Sequence, residues 1–132
     1  MKIIAVIEKS KEGGYGIYAP SVVGLFGYGL TEQEAKESLN DALESIVEEY
    51  EERGEPIPEA LNSPEFEYRY DLSAFFKLFP FLNVSEFANT IGVNPSLMRR
   101  YKEKHAFAGE KQKAIIQQRL NEIINKMSTV QF

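Results

Sequence analysis

Cysteine is absent from the 132 residues, which excludes disulfides, thiolate metal sites and a cysteine nucleophile. Histidine occurs once, as His105. It has no second histidine at HxH or HxxxH spacing, so a polar surface residue or phosphate contact is expected rather than a metal ligand or general base. Aspartate occurs at two positions, Asp41 and Asp71. Two-metal nucleases need several carboxylates converging on one site, and the first apolar run ends in a lone Glu8. Gly24, Gly27 and Gly29 lack a following Gly-Lys-Ser/Thr, which argues against a phosphate loop. No enzyme activity, metal or cofactor is therefore expected. Nothing at the N-terminus reads as a basic region followed by an apolar signal core, and no apolar run approaches the roughly 20 residues that span a bilayer. A cytoplasmic location is the expectation.

What is present is a division of charge. Residues 1–70 hold 6 Lys and Arg against 15 Asp and Glu, a balance of −9, whereas residues 71–132 hold 9 against 5, a balance of +4. Such halves suit different partners, a cationic surface for the first and a polyanion for the second. A solvated acidic helix face would produce the same count in the first half.

The segment KIIAVIE (Lys2–Glu8) reads as a strand. The polar KSKEGG that follows signals a hairpin, and Tyr15–Ala19 alternates as its second strand until Pro20. A third strand is expected near Leu25–Gly29. Thr31-Glu32-Gln33-Glu34 is a capping box, with Glu34 expected to reach back to the cap amide. The helix it opens should run to about Arg53, with Gly54 as its stop. Ala35, Leu39, Ala42, Leu43, Ile46 and Tyr50 share one face, leaving an acidic opposite side. Glu55-Pro56-Ile57-Pro58-Glu59 is extended because proline resists helix, and Phe66–Tyr70 returns to the sheet as a last strand. The fold class is α+β: a small antiparallel sheet with one helix over residues 1–70, then an all-α domain over residues 71–132.

Within that second domain Val84–Lys104 reads as two helices around a turn at Gly92, the second opened by Asn94-Pro95-Ser96. This is the pattern of a helix-turn-helix, whose second helix lies in the major groove. Pro95 is tolerated at the first helical position, where its missing N–H would be unpaired. Ser85, Asn94 and Ser96 are candidate phosphate or base contacts. Arg99 and Arg100 are candidates for bidentate pairing with guanine or phosphate, and Lys102 and Lys104 add salt-sensitive attraction. The last helix, Glu110–Met127, carries Ile116, Leu120, Ile123, Ile124 and Met127 in a wide stripe suited to a domain core and a dimer contact together. A plain helical bundle with a solvated basic face is the competing interpretation.

The stretch spanning Phe87-Ala88, Gly92-Val93 and Asn94-Pro95-Ser96 resembles the second and third helices of Xre/Cro-like repressors. The first half resembles the HicB antitoxin family through Val6-Ile7-Glu8-Lys9, Glu12-Gly13-Gly14-Tyr15, Thr31-Glu32-Gln33-Glu34-Ala35 and Glu55-Pro56-Ile57-Pro58. It departs from that family around Val22-Val23-Gly24-Leu25, so the loop there is expected to differ. The resemblance implies a truncated ribonuclease-H-like first domain that covers a small basic ribonuclease toxin, HicA, joined to a domain that represses the shared operon. The expected partners are thus a HicA-like toxin, palindromic operator DNA and a second copy of the chain, as a dimer or a pair of dimers. Glu12, Glu48, Glu49 and Glu52 are the candidate toxin contacts. The alternative is a transcriptional regulator whose first domain senses a small ligand or another protein, with no toxin.

Overall fold

A computed structural model describes residues 2–132. The chain divides into two compact units, the first extending to Leu78 and the second covering residues 79–132.

The first unit contains β1 (Lys2–Lys9), β2 (Tyr15–Tyr18), β3 (Phe26–Gly29), α1 (Glu32–Glu52), a 3₁₀ turn at Glu59–Leu61, β4 (Glu65–Tyr70) and α2 (Leu72–Leu78). Its four strands lie in the order β3-β2-β1-β4. β1 and β2 pair antiparallel, as do β2 and β3. β4 pairs parallel with β1, matching Ile3 to Phe66 and Ala5 to Tyr68, so the sheet is mixed rather than purely antiparallel as the sequence suggested. The reason is topological. A hairpin reverses the chain, but the long helical crossover from β3 returns β4 in the direction of β1.

Alternation sorts the sheet residues. Ile3, Ala5, Ile7 and Ile17 are at most 3% exposed and meet Ala35 and Leu39 of α1 in the core. Ala42, Leu43, Ile46, Val47 and Tyr50 continue that contact as half-buried residues. Burying each large aliphatic side chain contributes about 1.5–3 kcal/mol. The opposite sheet face leaves Tyr18, Phe26 and Tyr28 exposed.

The glycines of β3 permit this packing. A Cβ at Gly27 would collide with the backbone of α1 at Leu39 N and, at 2.7 Å, Ala35 O; one at Gly29 would stand 2.5 Å from Ala35 N. With hydrogen in those places, the helix backbone lies directly on the strand. The helix start is fixed by Thr31, whose Oγ1 accepts from Glu34 N at 3.1 Å. Glu34 Oε2 accepts from Leu30 N at 2.9 Å, one residue before the cap amide expected of it. Tyr28 N also donates to α1, at Ser38 Oγ.

α2 sits with the first unit, eight residues beyond the boundary after Tyr70 drawn from sequence. Asp71 N donates to Ile7 O at 3.2 Å, Asp71 Oδ1 accepts from Ala74 N at 2.6 Å, and Lys77 Nζ donates to Lys9 O at 2.7 Å. These bonds carry the chain from β4 straight into a helix held on β1. The onset of helical periodicity therefore precedes the unit boundary.

The second unit holds α3 (Val84–Ile91), α4 (Pro95–Lys102) and α5 (Glu110–Met127). Its core includes Phe87, Ala88, Ile91, Val93, Met98, Tyr101 and Ile116, each at most 7% exposed. No helix among the described residues is long and apolar enough to cross a membrane.

Candidate nucleic-acid interface and partner surface

α3 and α4 owe their geometry to three residues in the turn and cap positions. Asn83 Oδ1 accepts from Glu86 N at 3.0 Å and opens α3. Gly92, at φ +88°, ends it, and the Gly92 and Val93 amides both donate to Ala88 O. That left-handed conformation is open to glycine at little steric cost. Asn94 then opens α4, its Oδ1 accepting from Ser96 N at 2.8 Å and Leu97 N at 3.3 Å, with Pro95 at the first helical position. The Asn94 side-chain oxygen is thus occupied by the cap. Its predicted role as a DNA contact is reduced to the amide nitrogen.

Three of the predicted site residues come together. The Arg99 guanidinium donates through Nη1 to Ser85 Oγ at 2.8 Å and through Nη2 to Ser96 Oγ at 3.2 Å. It bridges the first turn of α3 and the first turn of α4 while remaining exposed. A guanidinium presented in this way, flanked by two hydroxyls, has the donors to grip a phosphate. The hydroxyls keep donor capacity of their own, because each accepts from Arg99.

Arg100, Lys102 and Lys104 do not join that cluster. Arg100 Nη2 donates to His105 O at 3.4 Å, and Lys104, in a left-handed conformation at φ +62°, lies just past the end of α4. Cations at a helix C-terminus favour the helix dipole, so this group stabilises α4 whatever else it contacts. His105 pairs loosely with Glu103, Nδ1 to Oε2 at 3.6 Å, on an exposed surface.

On α5 the expected stripe splits by burial. Ile116 is 5% exposed and belongs to the core, which removes it as a surface for a second copy. Leu120 and Ile123 are half-buried, while Ile124 and Met127 are 51% and 64% exposed.

The acidic residues belong to the first unit. Glu12 lies in the β1–β2 turn, its N–H donating to Ser10 Oγ at 3.3 Å. Glu48, Glu49 and Glu52 lie in the last turns of α1, which carry no basic residue. Among the described residues no group of three or more His, Asp or Glu is placed to hold a metal ion.

No protein-family model matches the chain. It is 42% identical over 48 residues to a UPF0150 protein of Synechocystis sp., a match covering 36% of this chain and 67% of that protein. The chain belongs to the UPF0150 family. In this UPF0150 chain the acidic candidates separate. Glu48 lines a groove together with Glu44 and Glu51, whereas Glu49 and Glu52 do not. Sequence reasoning missed Glu44 and Glu51 as groove residues because the other wall, the 3₁₀ turn ending in Leu61, gave no periodic signal.

A second polar cluster escaped notice altogether. The Tyr70 hydroxyl donates to Glu32 Oε1, and Lys36 pairs with Glu32 while lying 4.5 Å from the centroid of the Tyr68 ring. Partial burial and the Glu32 carboxylate push the Tyr70 hydroxyl up to about 12. The cluster ties α1 to β4 and is structural.

Proposed function

We propose that this chain is an antitoxin and autorepressor, in which a HicB-like, truncated ribonuclease-H-like first unit neutralises a small basic toxin and a helix-turn-helix in the second unit binds operator DNA. The observation that carries the reading is the pairing of opposites in one chain. The first unit presents an acidic helix with no basic residue in its last turn, and the second presents Arg99 between Ser85 and Ser96 on the exposed first turns of two helices joined by a tight turn. The UPF0150 kinship supports the toxin half of the proposal, since that family includes HicB-like antitoxins.

In this reading Arg99, Ser85 and Ser96 grip the backbone of the duplex and set the depth of α4 in the major groove. The Asn94 amide and Arg100 reach base edges, while Lys102 and Lys104 supply attraction that weakens with salt. A dimer formed through Leu120, Ile123, Ile124 and Met127 spaces two such helices about one turn of DNA apart, roughly 34 Å, and so reads a palindrome. Complementary charge speeds and selects the association of toxin with the first unit. The protein acts by binding, with no catalytic step and no cofactor, in the cytoplasm.

Co-expression tests the toxin half. A short, basic reading frame should lie beside the gene, and its product should arrest growth alone and be silenced by the full chain; no such neighbour, a harmless one, or one that is not silenced refutes it. Titrating DNA from upstream of the gene with wild-type protein and an Arg99→Ala/Arg100→Ala variant tests the other half. Unchanged affinity in the variant refutes the assigned interface.

A further inference from the structure

A shallow groove of about 400 Å³ runs along the C-terminal half of α1, its far wall formed by Ile57, Leu61 and the residues that follow. Leu43 and Val47 of α1, both half-buried, form the near wall, and Glu44, Glu48 and Glu51 also line the groove. None of the three carboxylates has an ion pair or side-chain hydrogen bond among the described residues.

Two electrostatic penalties accompany that arrangement. Glu44 and Glu48 are like charges four residues apart, and Glu48 and Glu51 three apart, spacings at which like charges repel on a helix. Glu51 also lies in the last turn, at the negative end of the helix dipole; that turn holds no basic residue of its own, and Arg53 at the cap is turned to the Glu49 carbonyl. A cation brought to this edge relieves both penalties at once. The spacing indicates the shape of its carrier. With a rise of about 1.5 Å per residue the three positions lie about 6 Å and about 4.5 Å apart along the axis. Basic residues at matching intervals of four and three occur on another helix laid along α1. An extended segment repeats every 6.6–6.8 Å or so and loses register at the second interval.

We infer that this groove docks a basic amphipathic helix of a partner protein, its apolar side chains on Leu43, Val47 and Ile57 and its Lys or Arg side chains against Glu44, Glu48 and Glu51. The inference deepens the antitoxin reading by assigning partner recognition to one edge of α1, and it excludes Glu49 and Glu52, which carry the same charge outside the groove.

The test uses the full chain and a synthetic Leu/Lys peptide of about five helical turns, with lysines at intervals of four and three beside a leucine seam, titrated at about 0.15 M salt. Wild-type protein should bind it at least about tenfold more tightly than a scrambled peptide of the same composition. A Glu44→Gln/Glu48→Gln/Glu51→Gln variant should lose at least about tenfold in affinity. An Asp41→Asn/Glu49→Gln/Glu52→Gln variant, with the same change of charge, should stay within about twofold of wild type. Melting of the groove variant at or above the wild-type temperature shows that lost binding is not lost folding. The single Glu48→Lys variant applies the same criterion with one substitution. Equal losses in the two triple variants, equal binding of the scrambled peptide, or no binding by wild type overturns the inference. Co-expression with the neighbouring product separates the two proposals. Silencing by wild type and equally by the groove variant refutes the groove and leaves the antitoxin reading standing. If wild type does not silence, the antitoxin reading falls and the peptide titration alone decides the groove.

Discussion

α1 and α4 are both amphipathic helices opened by a polar cap, yet they are held by opposite means. α1 spans 21 residues, and its N-terminal half lies on β3 because Gly27 and Gly29 present no side chain to it. α4 spans eight residues and depends on side chains that are present: Asn94 at its cap and Met98 beneath it. An isolated helix of that length is unstable in water. One helix is therefore vulnerable to added atoms and the other to removed ones.

The largest effects should come from breaking each helix in its own way. Gly27→Val forces a branched side chain into the backbone of α1, where even a single Cβ is too close, and should destabilise the protein by about 3 kcal/mol or more. Met98→Ala, at a residue with no exposed surface, should cost about 2–5 kcal/mol. Urea unfolding measures both, and a Gly27→Val protein as stable as wild type would refute the close approach. Exchanging the logic sharpens the contrast, since Gly109, with open space around it, should accept alanine with a small change.

Next comes function at α4. Arg99→Ala should weaken operator binding by about 1.5–3 kcal/mol, the loss of a charge-assisted phosphate contact, while leaving stability nearly unchanged, because the bonds it loses are exposed. Lys102→Ala should also weaken all sequences alike and lower the salt slope by about one, but with a smaller loss of affinity. Equal losses in the two variants would deny Arg99 its special position.

Asn94→Ala should cost about 1 kcal/mol through the lost cap. It separates a structural role from a DNA contact: affinity restored by Asn94→Asp or Asn94→Ser, which also cap, favours the cap. The smallest effect is at Tyr70. Its hydroxyl is raised from about 10 to about 12 in the folded protein, so the protonated form is favoured by folding. The stabilisation is complete below pH 10 or so and is lost as pH rises toward 12. Wild type should exceed Tyr70→Phe in stability near neutrality and lose that advantage across this window, which paired thermal melts at each pH will show.

The elements most legible in the sequence were those whose signals are local. Thr31 and Glu34 announced α1, Gly92 and Asn94-Pro95 announced the α3–α4 turn, and the stripe from Ile116 to Met127 announced α5. Long-range pairings were not legible. Nothing within Glu65–Tyr70 states that it runs parallel to β1, and nothing in Leu72–Leu78 states that Lys77 reaches back to Lys9 O. The strand containing Gly27 and Gly29 was legible, but a missing side chain carries no information about what occupies its place. At the candidate sites, residue type identified Arg99, Ser85, Ser96 and Glu48, but the bonds that join the serines to Arg99 and the groove beside Glu48 depend on the fold.

The hydrogen bonds that α1 side chains accept from the amides of β3 and Leu30 have a consequence for life at high concentration. β3 is an edge strand, and an unpaired edge is a template on which other chains can add strands. Here the N–H groups of Tyr28 and Leu30 are already taken by Ser38 and Glu34. The helix that anchors the sheet thereby occupies two of the amides along this border, which leaves fewer of them to template a further strand beside the exposed aromatic residues of β3.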